Sequence, residues 1–315
     1  MVNVENSLLK IAHYYYEDRL TQQEIAQKLS ISRQKVNRSI KRLHEEGLVK
    51  IEIMKIENSY VEMEIYLERL FKLKRVVIAH VDQEPSIIEQ LGKVGARYIL
   101  DTLETGMRVG VSWGKTLYEV GRNLSNDKIS NLEVIQLVGG VNSTNAADMT
   151  NEITRQFATR LGGIPHYMYA PAIVQNKEAK ESILLENSMR EMIGKITTCH
   201  IAVVGIGELS NESTISKQNY LDEEYLKFLH TKDAAGDICL QVFDRQGKFI
   251  EDGMKHYSIG VNKEQLMTIP HVIAIAGGVE KVHAILGAIR TGAIDVLVTD
   301  SITASLLYNV LKSEG

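Results

Sequence analysis

A chain of 315 residues, 44% hydrophobic and 24% charged, has the composition of an ordinary folded protein with room for two domains, which excludes a disordered or fibrous one. A formal net charge of -4 excludes a uniformly basic nucleic-acid coat, and two cysteines, Cys199 and Cys239, give neither a metal-ligand spacing nor a disulfide framework. No apolar run is long enough to span a bilayer and the N-terminus lacks the basic-then-apolar form of a signal peptide, so a reducing cytoplasm is the expected location, with no membrane partner.

The charge divides unevenly: residues 1–58 hold ten Lys and Arg against eight Asp and Glu, so only this part is suited to meet a nucleic-acid phosphate backbone. Residues 5–17 read as a first helix, with Leu8, Ile11, Ala12 and Tyr15 inward, and the Tyr14-Tyr15-Tyr16 run reads as packing and rim. Thr21 with Glu24 three residues later forms a capping box that starts a second helix near Gln22, with Ile25, Ala26 and Leu29 on its inner face. Ser30-Ile31-Ser32 makes a turn, Ile31 plugging the core and Ser32 capping a third helix. On that helix Val36, Ile40 and Leu43 share one stripe, while Gln34, Asn37, Arg38 and Lys41 point the other way. From Arg33 to Arg42 there are five basic residues and no acidic one. Two short helices, a tight turn and a basic outer face are the parts of a helix-turn-helix, so Ser32, Arg33, Gln34, Asn37, Arg38 and Lys41 are the candidate DNA contacts. Residues 48–53 alternate like a strand and suggest a wing or a strand leading out of the domain. Near residue 58 that pattern stops, and 60–71 returns to helical periodicity, which places a domain boundary between 1–58 and 59–315 and a connecting helix that could also pair protomers.

From about residue 75 apolar runs alternate with amphipathic helices. The segments 75–79, 107–111, 133–138, 200–205, 238–243, 271–276 and 295–299 read as buried strands, and 86–103, 149–161, 221–230, 279–290 and 301–312 as helices. The order predicts an α/β, Rossmann-like domain with a mostly parallel sheet, whose ligands sit at the carboxyl ends of strands. The loops there carry the candidate site. In GVSWGKT, residues 110–116, Ser112, Gly114 and Thr116 can hold a phosphate at a helix N-terminus; a P-loop would need glycine where Val109 stands, so Lys115 has no assured phosphate role. GGVNST (139–144) follows another strand, GIGEL (205–209) is a weak glycine signal, and Asp237 before an apolar run could accept sugar hydroxyls or simply cap its own turn. Gly277-Gly278 open a helix whose first turn holds Lys281, a cation placed against the helix dipole unless an anion sits there. Asp300 or Ser301 reads as a structural cap.

The ordered set TQQEIAQKLSISRQKVNRSIKRLHEEGLV, VGVSWGKT, LVGGVN, VVGIG, AAGDI, AGGVEKVHAILGAI and IDVLVTDSITA resembles the SorC family of sugar-responsive bacterial transcriptional regulators, often given a DeoR label, over nearly the whole chain. The resemblance implies an effector domain similar to glucosamine-6-phosphate deaminase and ribose-5-phosphate isomerase, retained as a sensor. It implies a homo-oligomer, commonly a tetramer, bound to a double-stranded operator of a carbohydrate operon and controlled by a phosphorylated sugar. By position, the family's phosphate loop falls on Ser112, Gly114 and Thr116, with Gly139, Gly140 and Asn142 lining the same cleft, and its carboxylate and lysine on Asp237 and Lys281. No cofactor, metal or catalytic group is expected. Repression and activation stay open. The alternative is a sugar-phosphate isomerase or deaminase carrying a DNA-binding appendage, for which Asp237 lacks an obvious acid partner.

Overall fold

In a computed structural model that describes residues 2–52, 54, 59–141, 150–209, 223–251 and 257–314, contacts divide the chain into two units, Met1–Ser59 and Tyr60–Gly315.

The first unit is helical. Helix α1 (Val2–Ala12) runs into a π-helical turn, His13–Glu17, then come α2 (Gln22–Leu29) and α3 (Arg33–Glu45). The capping box forms as read: Glu24 Oε2 accepts the Thr21 N–H at 2.7 Å and Thr21 Oγ1 accepts the Glu24 N–H at 3.3 Å. Ser30 closes α2 in the left-handed conformation at φ 54°, and Ser32 Oγ accepts the Lys35 N–H at 3.2 Å to start α3. Ile25, Val36 and Leu43 are fully buried with Leu8, Ile11 and Ile40 around them. At about 1.5–3 kcal/mol per large aliphatic side chain, this small cluster holds three helices together. No strand forms among the described residues of the expected wing: Leu48 and Ile51 are exposed, and only Val49 packs on the cluster. Among the described residues of this unit there is no neighbouring strand for such a run to pair with.

The second unit begins with α4 (Val61–Phe71) and β1 (Arg75–Ala79). It continues through α5 (Ile87–Thr102), β2 (Arg108–Val111), α6 (Lys115–Asn123), β3 (Glu133–Gln136), α7 (Thr150–Leu161) and β4 (Ile164–His166). Then follow β5 (Ile173–Val174), α8 (Lys177–Leu185), α9 (Asn187–Thr197), β6 (Ile201–Val204), α10 (Glu223–Thr231), β7 (Ala234–Ile238) and β8 (Gln241–Asp244). The chain closes with β9 (Tyr257–Ser258), α11 (Lys263–Thr268), β10 (Val272–Ile275), α12 (Val282–Arg290), β11 (Val296–Asp300) and α13 (Ser301–Glu314).

Seven strands form one sheet in the order β1-β11-β10-β6-β2-β3-β4, every neighbouring pair parallel. Residues of β6, β10 and β11 are buried without alternation, as in a sheet covered on both faces. Helices α5 and α6 pack closely because Gly92 faces α6: a Cβ there would lie 2.6 Å from Glu119 Cγ and 3.1 Å from its backbone. The strand starts are stapled by Glu133, whose carboxylate takes Arg108 Nε at 2.8 Å and Lys195 Nζ at 3.4 Å.

Two features differ from the sequence reading. The run 238–243 is not one strand but the middle of a hairpin, β7 and β8, turning at Cys239 and Leu240 with φ 52° and 66°. Neither is a usual left-handed residue, so the turn carried no sequence signal. The sheet also gains the edge strand β4, whose three residues include Pro165 and whose ladder is too short to show alternation.

Candidate functional site

On α3 the candidate DNA contacts share one solvent face: Ser32, Arg33, Gln34, Asn37, Arg38 and Lys41 are all exposed, opposite Val36, Ile40 and Leu43. The C-terminal turn is held elsewhere, with Arg42 Nε on Glu46 Oε1 at 2.6 Å and the Tyr16 hydroxyl 2.6 Å from His44 Nε2. Among the described residues no ion pair engages Arg33, Arg38 or Lys41. Their donors are turned outward on one helix, the geometry that reads base edges and phosphates in a major groove.

In the second unit the chain winds outward from β2 through β3 to β4, and from β6 through β10 to β11, in opposite directions. The neighbouring strands β2 and β6 therefore mark the topological switch point, where α/β sheets open a crevice. A cavity of about 570 Å³ lies there, lined from the ends of β2, β6 and β10. It brings together Ser112, Gly114, Thr116, Asp237, Gly277, Gly278 and Lys281 from distant parts of the chain.

Gly114 adopts φ 120°, open only to glycine without strain, and hands the chain into α6, whose first amides have no helical partner. Ser112 is buried below it, its N–H on Val203 O at 3.0 Å and its side chain beside the Cys239 thiol. Burial pushes that thiol up to about 12, so Cys239 is a small buried wall residue and not a nucleophile. Thr116 is buried and Lys115 exposed, both in the lining.

Asp237 is 4% exposed, on the hairpin strand β7 and not in a loop before a strand as read. Its Oδ2 accepts the Leu240 N–H at 2.9 Å, and Oδ1 rests on Gly207, where a Cβ would come within 2.0 Å. Burial pushes its carboxyl up to about 6, opposed by the Leu240 N–H and by Lys281. Lys281 moves the other way: burial lowers its pKa, against the pull of the Glu280, Asp237 and Glu208 carboxylates, and Nζ donates to Ile206 O at 3.1 Å. Asp300 is a buried cap, as read. It accepts the Thr303 N–H at 2.8 Å and the Gly278 N–H at 3.2 Å, and Gly277 must be small because a Cβ would meet Asp300 Oδ2 at 2.1 Å.

Gly139 and Gly140 are not brought into this cavity. Their backbones pair with other segments: Gly140 N–H reaches Ala170 O at 2.8 Å and Gly139 N–H reaches Ile259 O at 2.9 Å, and Gly139 must be small because a Cβ there would meet Pro171 O at 2.5 Å. Asn142 lies outside the described residues. The sequence reading missed the wall made by Pro85, Ile87 and Ile88 at the start of α5, and the Trp113 and Val279 side chains. An apolar residue at a helix start carries no mark that separates lining from core. Trp113 alone stood inside a motif that pointed to the site. Among the described residues, no cluster of three His, Cys, Asp or Glu could hold a metal, and no helix is long and apolar enough to cross a membrane.

Residues 56–309 match the Sugar-bind family, described as "Putative sugar-binding domain", and residues 12–50 match a family described as winged helix-turn-helix DNA-binding. The deoxyribonucleoside regulator of Bacillus subtilis (strain 168) is 30% identical over 305 residues, 96% of this chain and 97% of that protein. The sorbitol operon regulator of Klebsiella pneumoniae is 30% identical over 95% of this chain and 96% of its own length. The crystal structure of full-length SorC from Klebsiella pneumoniae superposes with a TM-score of 0.75 at 30% identity, covering 95% of this chain and 97% of that one. A DeoR family transcriptional regulator from Listeria monocytogenes gives a TM-score of 0.73 at 27% identity over 79% of this chain and all of that one (100%).

Proposed function

The chain belongs to the SorC family of helix-turn-helix, sugar-binding transcriptional regulators, and from that premise we propose that a phosphorylated sugar bound in the β2–β6 cavity controls its grip on the operator of a carbohydrate operon. The observation that carries the reading is the pairing, in one cavity, of an open helix N-terminus at Gly114–Thr116 with the buried Asp237 and Lys281. The amides opening α6, with Ser112 and Thr116, suit a phosphate. Asp237 Oδ1 suits donors such as sugar hydroxyls, and Lys281 suits an acceptor oxygen. In this reading residues 1–58 bind DNA, with Ser32, Arg33, Gln34, Asn37, Arg38 and Lys41 facing the groove. Residues 59–315 bind the effector and join protomers into a cytoplasmic homo-oligomer, a tetramer in the fullest form. Relatives named for sorbitol and for deoxyribonucleosides support a small polyhydroxylated effector.

One observation supports a second reading, a sugar-phosphate isomerase or deaminase: Asp237 and Lys281 have pKa values displaced toward one another, a pattern shared with acid–base pairs. One experiment addresses both. Melting temperature is followed with ribose 5-phosphate, 2-deoxyribose 5-phosphate, glucose 6-phosphate, fructose 6-phosphate and the corresponding free sugars, and each mixture is then assayed for turnover. A rise with one phosphorylated sugar and no consumption of it supports the regulator. Consumption supports the enzyme, and a rise with a free sugar alone removes the phosphate assignment.

A further inference from the structure

For a cavity that is to hold a phosphate, this one carries an excess of acidic side chains. Its lining includes four carboxyl groups, those of Glu84, Glu208, Asp237 and Glu280, against two lysines, Lys115 and Lys281. The two helix starts that meet there are treated differently. At the start of α6 the N-cap is Gly114, which offers no side-chain acceptor, and the first turn holds no acidic residue. An anion arriving there meets open amides and no carboxylate of that turn.

The other start is already answered by the chain. A single turn, Val279–Lys281, leads into α12, and the Gly278 N–H at its head donates to Thr303 Oγ1 at 2.8 Å and to Asp300 Oδ2 at 3.2 Å. Glu280, the acidic residue of that turn, folds back over Gly278, where a Cβ would come within 2.7 Å of Glu280 Oε2. Two carboxylates therefore stand where the helix dipole attracts negative charge. Lys281 faces the Glu280, Asp237 and Glu208 carboxylates together, so a lysine in this turn needs no anion from a ligand.

We propose that the cavity accepts one phosphate and not two: the phosphate of a monophosphorylated sugar sits at the start of α6, and Glu208 and Glu280 select for uncharged hydroxyls at the effector's other end by repelling a second phosphate. The proposal deepens the sugar-phosphate reading above and rests on it. Discrimination between similar ligands comes from a repulsive element as much as from an attractive one. A second phosphoryl group would bring further negative charge beside carboxylates inside a crevice, where like charges repel more strongly than in water. A neutral hydroxyl donates to the same oxygens. The competing explanation is a cavity too short for a bisphosphate, which would reject it whatever the charge at residues 208 and 280.

The test offers each sugar with one phosphate and with two: glucose 6-phosphate against glucose 1,6-bisphosphate, fructose 6-phosphate against fructose 1,6-bisphosphate, and ribose 5-phosphate against ribose 1,5-bisphosphate, with the free sugars alongside. Kd is measured by titration calorimetry on the full-length wild type and on the paired variant Glu208→Gln/Glu280→Gln, which keeps the side-chain shapes and removes their charge. On wild type, a sugar that binds is expected to do so about tenfold or more weakly as its bisphosphate than as its monophosphate. In the glutamine pair that ratio is expected to shrink by about fivefold or more, through a gain in bisphosphate affinity. Where the pair fails to fold, Glu280→Gln alone, at an exposed side chain, carries the same comparison. A bisphosphate that binds wild type as tightly as its monophosphate overturns the proposal and leaves the sugar-phosphate reading standing. A preference for the monophosphate that the glutamine variants leave unchanged overturns it as well, because shape is then the cause. If no phosphorylated sugar binds, the sugar-phosphate reading falls and takes the proposal with it.

Discussion

Asp237 is a buried carboxylate with one backbone N–H, that of Leu240, and a nearby lysine to offset its desolvation. Its carboxyl is pushed up from 3.8 to about 6, so the folded protein binds this proton more tightly than the unfolded chain does. The stabilising contribution of that proton is complete below about pH 3.8 and is lost as pH rises through about 6. Asp237→Asn is therefore expected to raise the melting temperature by a few degrees at pH 8, a gain that shrinks as pH falls below 6, while effector affinity drops. Thermal scans from pH 4 to 8 check it, and a lower melting temperature at pH 8 would show that the charge is compensated by Lys281 after all. On the DNA side, Arg38→Ala is expected to cost about 1–3 kcal/mol of operator affinity and none of effector affinity. Anisotropy titrations read both, and unchanged operator binding would place a different face of α3 in the groove.

At the scale of elements, Glu133 binds the starts of β2 and β3 to α9 through Arg108 and Lys195, and its carboxyl is held down from 4.5 to about 2, chiefly by Arg108. The sign is opposite to that of Asp237: the stability is present above about pH 4.5 and lost as pH falls through about 2. Glu133→Gln is expected to destabilise the second unit by roughly 2 kcal/mol at pH 7, after screening of a partly exposed pair, and to match wild type near pH 2. Denaturant melts at the two pH values measure it. Elements whose signals are local were legible in the sequence. Thr21 with Glu24 and Ser32 marked helix starts because each satisfies its own backbone, and the apolar runs of β6, β10 and β11 stood out because both faces of those strands are buried. The hairpin of β7 and β8 was hidden by its turn residues, Cys239 and Leu240, which adopt left-handed backbone without the chemistry that usually announces it. The described residues of 48–53 form no strand despite their alternation, because alternation describes a surface, but a strand also needs a partner. Gly139 reads as a cavity residue because a glycine that lets a ligand approach looks the same in sequence as one that lets Pro171 approach, and Gly140 follows it in the same loop.

For the whole molecule, the candidate site was legible in its loops and not in its walls. Ser112, Gly114, Thr116, Asp237, Gly277, Gly278 and Lys281 converge because a switch point gathers strand ends, which topology predicts. Pro85, Ile87 and Ile88 come to the same cavity from the start of α5, a proximity that only the folded chain creates.

The chain offers its own reporter for the central claim. Trp113 is the single tryptophan, 7% exposed, and it lines the cavity between Ser112 and Gly114. Its emission is therefore the measurement to make, titrated with each sugar phosphate and its free sugar, in wild type and in Lys281→Ala. The account predicts a saturable change with a phosphorylated sugar, absent with the free sugar and shifted to higher concentration in the variant. A sugar phosphate that raises the melting temperature yet leaves Trp113 emission unchanged would contradict it, because the effector would then bind somewhere other than this cavity.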